Sequence, residues 1–118
     1  MHIEAFYKFC MALPGTKEDF PFDEQTLVFK VKGKMYALSD VDSFESINLK
    51  CDPERALQLR ALYEEVKPGY HMNKKHWNTV QMRGELEDKL IEELIHHSYD
   101  LVVAKLPQKD RKDLTAGN

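Results

Sequence analysis

The sequence has few of the residues that cross-link a chain, interrupt it or direct it to a membrane. Among 118 residues there are two cysteines, five glycines and five prolines. Cys10 and Cys51 lie far apart and form no CxxC motif, which argues against a disulfide framework and favours a reducing compartment, so we expect a cytoplasmic protein. No run of about 18 apolar residues occurs, and no basic segment followed by an apolar run opens the chain, so we expect neither a membrane span nor an export signal.

Sequence motifs that mark common cofactor-binding and catalytic sites are also missing. No GxGxxG or GxxxxGK sequence is present to hold a dinucleotide or a phosphate, and no GxSxG sequence surrounds a nucleophile. Adjacent His96 and His97 would point about 100° apart on a helix, which is poor geometry for one metal ion. Cys51 precedes a helix and is a conceivable reactive thiol, but a buried cysteine at a strand end is the commoner outcome. We therefore expect no enzyme, no metal site and no cofactor.

The hydrophobic pattern predicts an α+β fold, with helices packed on an antiparallel sheet in two layers. A chain of this length fits one core, and we place a single domain at 1–114 with a frayed tail at 115–118. Apolar residues at helical spacing predict a first helix, ended by Pro14-Gly15. Residues 16–25 are expected to be an ordered loop with solvated acids, pinned by Phe20 and Phe22.

Alternating apolar residues then predict a hairpin over 26–38 and a third strand near Ile47–Cys51. Asp52 and Pro53 are typical of a helix start, and the helix would bury Ala56, Leu59, Leu62 and Tyr63. A strand is expected within 70–82 after an irregular beginning. A long final helix should run from Leu86 to Val102, with Pro107 ending or restarting it.

Charge is segregated along the chain, although the net charge of −3 argues against a protein that coats nucleic acid with a bulk positive field. Residues 66–83 contain Lys67, Lys74, Lys75 and Arg83 and no acids, whereas residues 84–104 contain one cation and six acids. A second basic cluster closes the sequence around Lys105 and Lys109–Lys112. The second cluster could add cations to the first, and the hypothesis of DNA binding weakens if the two do not lie on the same face.

The basic aromatic block at 70–80 is the candidate site. Lysines suit phosphates, amides suit base edges or backbone, and an aromatic ring suits stacking, so we predict nucleic-acid contacts there. The predicted contact residues are Asn73, Lys74, Lys75, His76, Trp77, Asn78 and Lys105. The alternative is structural: Tyr70 and Trp77 would pack on the sheet, the lysines would be solvated, and the asparagines would bond their own backbone.

Several segments resemble the YjbR/MmcQ family. They are Leu13–Thr16, Asp19–Phe22, Thr26–Val31, Asn48–Pro53, Pro68–Val80 and Ser98–Pro107, and together they span most of the chain. The resemblance implies a compact two-layer domain with a "double wing" arrangement that binds DNA. It implies no catalytic residues, because the family has no established enzymatic activity.

A second function remains open beside DNA binding. The domain could instead be a protein- or small-ligand-binding module with a chaperone-like fold, presenting the sheet or the last helix to a partner. An exposed apolar patch or a homodimer would favour that reading. We expect a monomer or a weak homodimer that does not associate with membranes.

Overall fold

A computed structural model gives the structure of residues 1–84 and 86–116. The helices are α1 (Ile3–Met11), α2 (Pro53–Leu62), α3 (Asp88–Ala104) and α4 (Gln108–Ala116). The strands are β1 (Thr16–Asp19), β2 (Thr26–Val31), β3 (Lys34–Asp40), β4 (Ser46–Lys50), β5 (Val66–Pro68) and β6 (Trp77–Gln81). None of these helices combines the length and the apolar composition needed to cross a bilayer.

The described strands form one sheet in the order β1-β2-β3-β4-β6-β5, and each neighbouring pair is antiparallel. Strands β1 to β4 follow each other directly because their connections are short. The β2–β3 hairpin turns at Lys32 and Gly33, which both have positive φ as a two-residue turn of this kind requires. The predicted α+β architecture with an antiparallel sheet is confirmed.

The main core lies between the helices and one face of the sheet. Phe6 of α1 is fully buried and meets Phe29 of β2 edge to face, with ring centroids 5.3 Å apart. Ile91, Leu94, Ile95 and other apolar residues of α3 complete this core. The α3 helix packs across β2, β3 and β4.

The opposite face of the sheet carries a smaller apolar cluster and is called the helix-free face here. It consists of Val28, Leu38 and Trp77, with Met35 and Met72 packed against them. Trp77 is only 7% exposed, because the 69–76 segment brings Met72 over it. Trp77 is therefore a packing residue of the sheet.

Local sequence signals located several elements correctly. The first helix, the hairpin and the third strand lie where they were predicted. The Asp52 carboxylate accepts a hydrogen bond from the Arg55 amide at 3.1 Å, and Pro53 occupies the first turn, so the cap of α2 is confirmed. The final helix begins at Asp88, after Leu86, and Pro107 separates it from α4.

Three predictions about the chain were wrong. Residues 16–19 form edge strand β1 because they pair with Val28–Val31 of β2. Phe20 and Phe22 do not pin a loop, since they are 42% and 64% exposed. Leu62 does not join the buried face of α2, because it is 74% exposed.

Two further points concern strand β5 and the end of the chain. The short strand β5 was not predicted. In the expected tail at 115–118, residues 115 and 116 continue α4, and residues 117–118 lie outside the described part of the chain.

Candidate nucleic-acid interface

The antiparallel register gathers cations at one end of the sheet, which we call the basic end. Strands β3 and β6 begin at this end, and strands β2 and β4 finish there. The C-terminus of α3 lies at the same end. Helix α4 lies at this end too, because Lys32 Nζ is 3.4 Å from the Asp113 carboxylate. The cations of these turns and helix ends are Lys32, Lys34, Lys50, Lys74, Lys75, Lys105, Lys109, Arg111 and Lys112.

The opposite end of the sheet is acidic. It holds the β1–β2, β3–β4, α2–β5 and β6–α3 connections. The described acids in and beside these connections are Asp23, Glu24, Asp40, Asp42, Glu45, Glu64, Glu65, Glu87 and Asp88. Cations therefore gather at one end of the sheet and acids at the other, although the net charge of the chain is small. The resulting electrostatic field attracts an anion to the basic end.

Three lysines converge at the basic end from different elements. Lys34 begins β3, Lys50 ends β4, and Lys105 follows α3. The pKa of Lys50 is lowered, first by burial of its ammonium group and then by the positive charges of Lys105 and Lys34. Within the described residues, none of the three forms an ion pair. We call these residues the lysine triad.

The backbone of Lys50 is fixed by a serine from α3. The Ser98 hydroxyl is fully buried, accepts a hydrogen bond from the Lys50 amide at 2.9 Å and donates one to the Tyr36 carbonyl at 2.5 Å. The β3–β4 ladder pairs Ala37 with Leu49 as its last step at this end. Ser98 thus inserts between the two strands where the next pair would form and holds Lys50 in place.

Two of the predicted contact residues are buried. Trp77 packs on the helix-free face, and Asn78, 2% exposed, points toward α2. The Asn78 side-chain oxygen accepts from Arg60 Nε at 2.7 Å, and the same guanidinium donates to the carbonyls of Trp77 and Lys74. Arg60 therefore clamps the start of β6, and the structural alternative describes Trp77 correctly.

Four of the remaining predicted residues form the turn that leads into β6. The Asn73 side chain accepts from the amides of Lys75 and His76, and Lys74 Nζ donates to the Gly69 carbonyl at 2.9 Å. The His76 carbonyl accepts from the Cys51 amide at 2.8 Å, which places this turn beside the end of β4. Lys75 is exposed, and Lys105 belongs to the lysine triad.

Sequence reasoning missed Lys34 and Lys50. A usable signal was present, because Lys34 lies beside Gly33 near the middle of the predicted 26–38 hairpin and Lys50 lies one residue before the end of the predicted third strand. In a meander of antiparallel strands these two positions fall at the same end of the sheet. The contribution of α3 through Lys105 required the tertiary structure.

Comparison with known proteins places this fold in a family. A protein-family model described as YjbR matches residues 11–101. The chain belongs to the YjbR family. It is 38% identical over 115 residues to YbdF of Escherichia coli O157:H7, covering 97% of this chain and 94% of YbdF.

Another relative and a solved structure agree with this family. The chain is 35% identical over 113 residues to YjbR of Escherichia coli strain K12, covering 95% of this chain and 96% of that one. It also matches the crystal structure of the Deinococcus radiodurans DUF419 protein DR2400 with a TM-score of 0.90 and 42% identity, covering 96% of this chain and 87% of DR2400. Both Escherichia coli relatives are described as uncharacterised, so the YjbR family supports the fold and leaves the function to be argued from the site.

The thiols of this YjbR-family chain are poorly suited to nucleophilic chemistry. Burial raises the pKa of Cys10 to about 12 and also raises the pKa of Cys51, which is 4% exposed. A thiol with a raised pKa is protonated at neutral pH, whereas the nucleophile is the thiolate. Among residues 1–84 and 86–116, no three His, Cys, Asp or Glu side chains are placed to hold a metal ion.

A half-buried histidine links α3 to the start of α2. His97 Nε2 accepts a hydrogen bond from the Asp52 amide at 3.2 Å, which requires a neutral ring with its proton on Nδ1. Burial lowers the pKa of His97 below its ordinary 6.5, and the positive charge of Arg55 lowers it further. The carboxylates of Asp52, Asp100 and Glu93 oppose this shift. Protonation of His97 therefore breaks a contact that holds α2 against α3.

This histidine makes stability sensitive to mild acid. Because its pKa is lower in the folded state, the unfolded chain binds more protons below pH 6.5, and the free energy of unfolding should fall as the pH drops below that value. We expect His97→Gln, whose amide oxygen can still accept from Asp52, to flatten this dependence in urea denaturation. The control His96→Gln should keep the wild-type slope, since His96 contacts Asp100 instead. Equal slopes for both variants would refute the role of His97.

Proposed function

We propose that this protein binds nucleic acid, DNA foremost, through the basic end of its sheet. The observation that carries the proposal is the lysine triad: three lysines from separate elements lie at this end of the sheet, the charges of two of them act on the third, and none has an ion pair among the described residues. Mutual repulsion between cations is unfavourable in the free protein, and a phosphate between them removes it.

The surroundings of the lysine triad support a phosphate backbone as the ligand. Lys75 is exposed on the turn beside the end of β4, together with half-buried His76. These residues extend the basic end beyond the lysine triad to the turn beside β4, and a polyanion needs several such contacts. The contacts proposed are Lys34, Lys50, Lys75 and Lys105, with Asn73 and Lys74 shaping the turn and Trp77 and Asn78 supporting it from inside.

The polarised charge also supports orientation and fast association. An acidic end repels the phosphate backbone while the basic end attracts it, so the protein should approach DNA in one orientation. We propose a cytoplasmic location, because a reducing compartment keeps Cys10 and Cys51 as free thiols.

Salt dependence provides the direct test. With a fluorescent duplex and anisotropy as the readout, we expect saturable binding whose association constant falls as salt rises from about 50 to 200 mM. Four lysine–phosphate contacts predict a slope of about −3.6 for the logarithm of the association constant against the logarithm of the salt concentration. No saturable binding of either duplex or single-stranded nucleic acid, or binding that salt does not weaken, would refute the proposal.

A ligand-binding module is the second candidate. A groove of about 390 Å³ lies between α1 and the acidic-end portions of β1 and β2, and its lining includes Ile3, Tyr7, Phe20, Leu27 and Val41. Exposed Phe20 gives this groove an apolar wall of the type that small ligands and protein segments contact. If DNA fails to bind at low salt, this groove becomes the leading site.

A further inference from the structure

Tyr70 is an exposed aromatic residue beside the basic end with no packing role in the core. Its side chain is 68% exposed, the highest value for an aromatic residue in the described chain. Its ring lies against the His71 ring, with centroids 4.0 Å apart. A single exposed aromatic residue is common on protein surfaces, so a role for Tyr70 has to be argued from its surroundings.

The backbone around Tyr70 is held firmly although its side chain is exposed. The Tyr70 amide donates to Thr79 Oγ1 at 2.8 Å, and that hydroxyl donates to Asn48 Oδ1 at 2.5 Å. The Gly69 amide donates to the Trp77 carbonyl at 2.8 Å. A side chain at position 69 would meet the Trp77 Cβ at 2.8 Å, so this close approach requires glycine.

The next residue adds a strained conformation to this anchoring. His71 has a φ of +59°, which non-glycine residues rarely adopt and which persists only where surrounding contacts enforce it. Together these features fix the backbone from which the exposed Tyr70 and His71 rings project into solvent. A preformed platform loses little entropy when a flat ligand stacks on it.

Two lysines lie on the strands that neighbour the residues anchoring the platform. Thr79, which anchors Tyr70, lies opposite Lys67 on β5 in the strand register. Lys50 lies opposite Trp77 on the other side of β6. Residues 66–83 contain no acidic side chain. A flat aromatic group attached to a phosphate chain is a ligand that suits an exposed aromatic ring with lysines on the neighbouring strands.

We propose that Tyr70 stacks on an unpaired nucleobase, so that the protein prefers single-stranded nucleic acid to duplex. The proposal rests on the proposed function, because the phosphates are held by the lysine triad. In a duplex both faces of each internal base are already stacked, so the platform adds nothing there. In a single strand a base can leave its neighbours and cover Tyr70.

The test compares both forms of one sequence by fluorescence anisotropy, using a labelled oligonucleotide of about 12 nucleotides, alone and annealed to its complement. Wild-type protein should bind the single strand more tightly. Tyr70→Ala should weaken single-strand binding about tenfold and leave duplex binding unchanged, while Tyr70→Phe should bind as the wild type does. Phe22→Ala is the matched control, since Phe22 is similarly exposed, at 64%, in the acidic β1–β2 connection.

The possible outcomes distinguish base stacking on Tyr70 from phosphate binding by the lysine triad. If the wild type binds nucleic acid but Tyr70→Ala binds the single strand as tightly as wild type, or if the duplex is preferred, the stacking role is wrong and the phosphate-binding proposal stands. If the wild type binds neither form at low salt, both proposals fall. A loss caused by misfolding would also appear in duplex binding and in thermal unfolding, which Tyr70→Ala should leave unchanged because the side chain is exposed.

Discussion

The double variant Lys34→Glu with Lys105→Glu should bind DNA about a hundredfold more weakly than wild type at low salt. Two phosphate contacts are lost, and two carboxylates then repel the backbone beside Lys50. Because fewer cations are neutralised, the salt slope should also decrease in magnitude by about 2. Anisotropy titrations at several salt concentrations measure both quantities.

A matched control makes the same change in net charge at the opposite end of the sheet. Arg83→Glu with Lys89→Glu changes the charge equally, but both residues belong to the acidic end and are exposed. This control should bind DNA within about threefold of wild type at 0.15 M salt, where screening over about 8 Å suppresses distant charges. If the two double variants lose affinity equally, overall charge rather than the lysine triad governs binding, and the assignment of the site is wrong.

Thermal stability distinguishes lost contacts from a damaged fold. Lys34 and Lys105 are exposed and contribute repulsion to Lys50, so glutamates at these positions turn repulsion into attraction. The double variant should therefore unfold at a temperature no lower than that of the wild type. Weak binding by a protein that is as stable as wild type would locate the effect at the surface.

The fold was predictable where signals are local. The α1 helix follows from apolar residues at helical spacing, and the start of α2 follows from Asp52 and Pro53, whose roles depend on neighbours within one turn. The β2–β3 hairpin follows from alternation around Lys32-Gly33. Each of these patterns is complete within about ten residues, so no tertiary contact is needed to recognise it.

Elements without such patterns required the tertiary structure. The β1 strand has the sequence Thr-Lys-Glu-Asp, which has no apolar alternation, and it forms because it pairs with β2. It is an edge strand, where charged residues are common and discourage pairing with other chains. The β5 strand spans only three residues and depends on β6 in the same way.

The candidate site was only partly predictable for a related reason. Residues 73–78 have the composition of a nucleic-acid contact. Composition does not show which of these side chains will be buried by contacts with a distant part of the chain. Arg60 reaches from α2 to Asn78 and to two carbonyls of this block, so part of the block serves the fold. The lysine triad is dispersed along the chain and is assembled by strand register and by α3.

Replacing Ser98 by valine should lower the free energy of unfolding by about 2–4 kcal/mol, because the Tyr36 carbonyl and the Lys50 amide each lose a buried partner. Ser98→Thr is the matched control, since threonine has the shape of valine but keeps a hydroxyl. Both variants add bulk at a site with no exposure, so their difference in urea denaturation isolates the two hydrogen bonds. Equal loss in both variants would show that crowding alone matters at this position. A larger loss for valine, accompanied by weaker DNA binding, would show that the serine between β3 and β4 also places Lys50 for its phosphate.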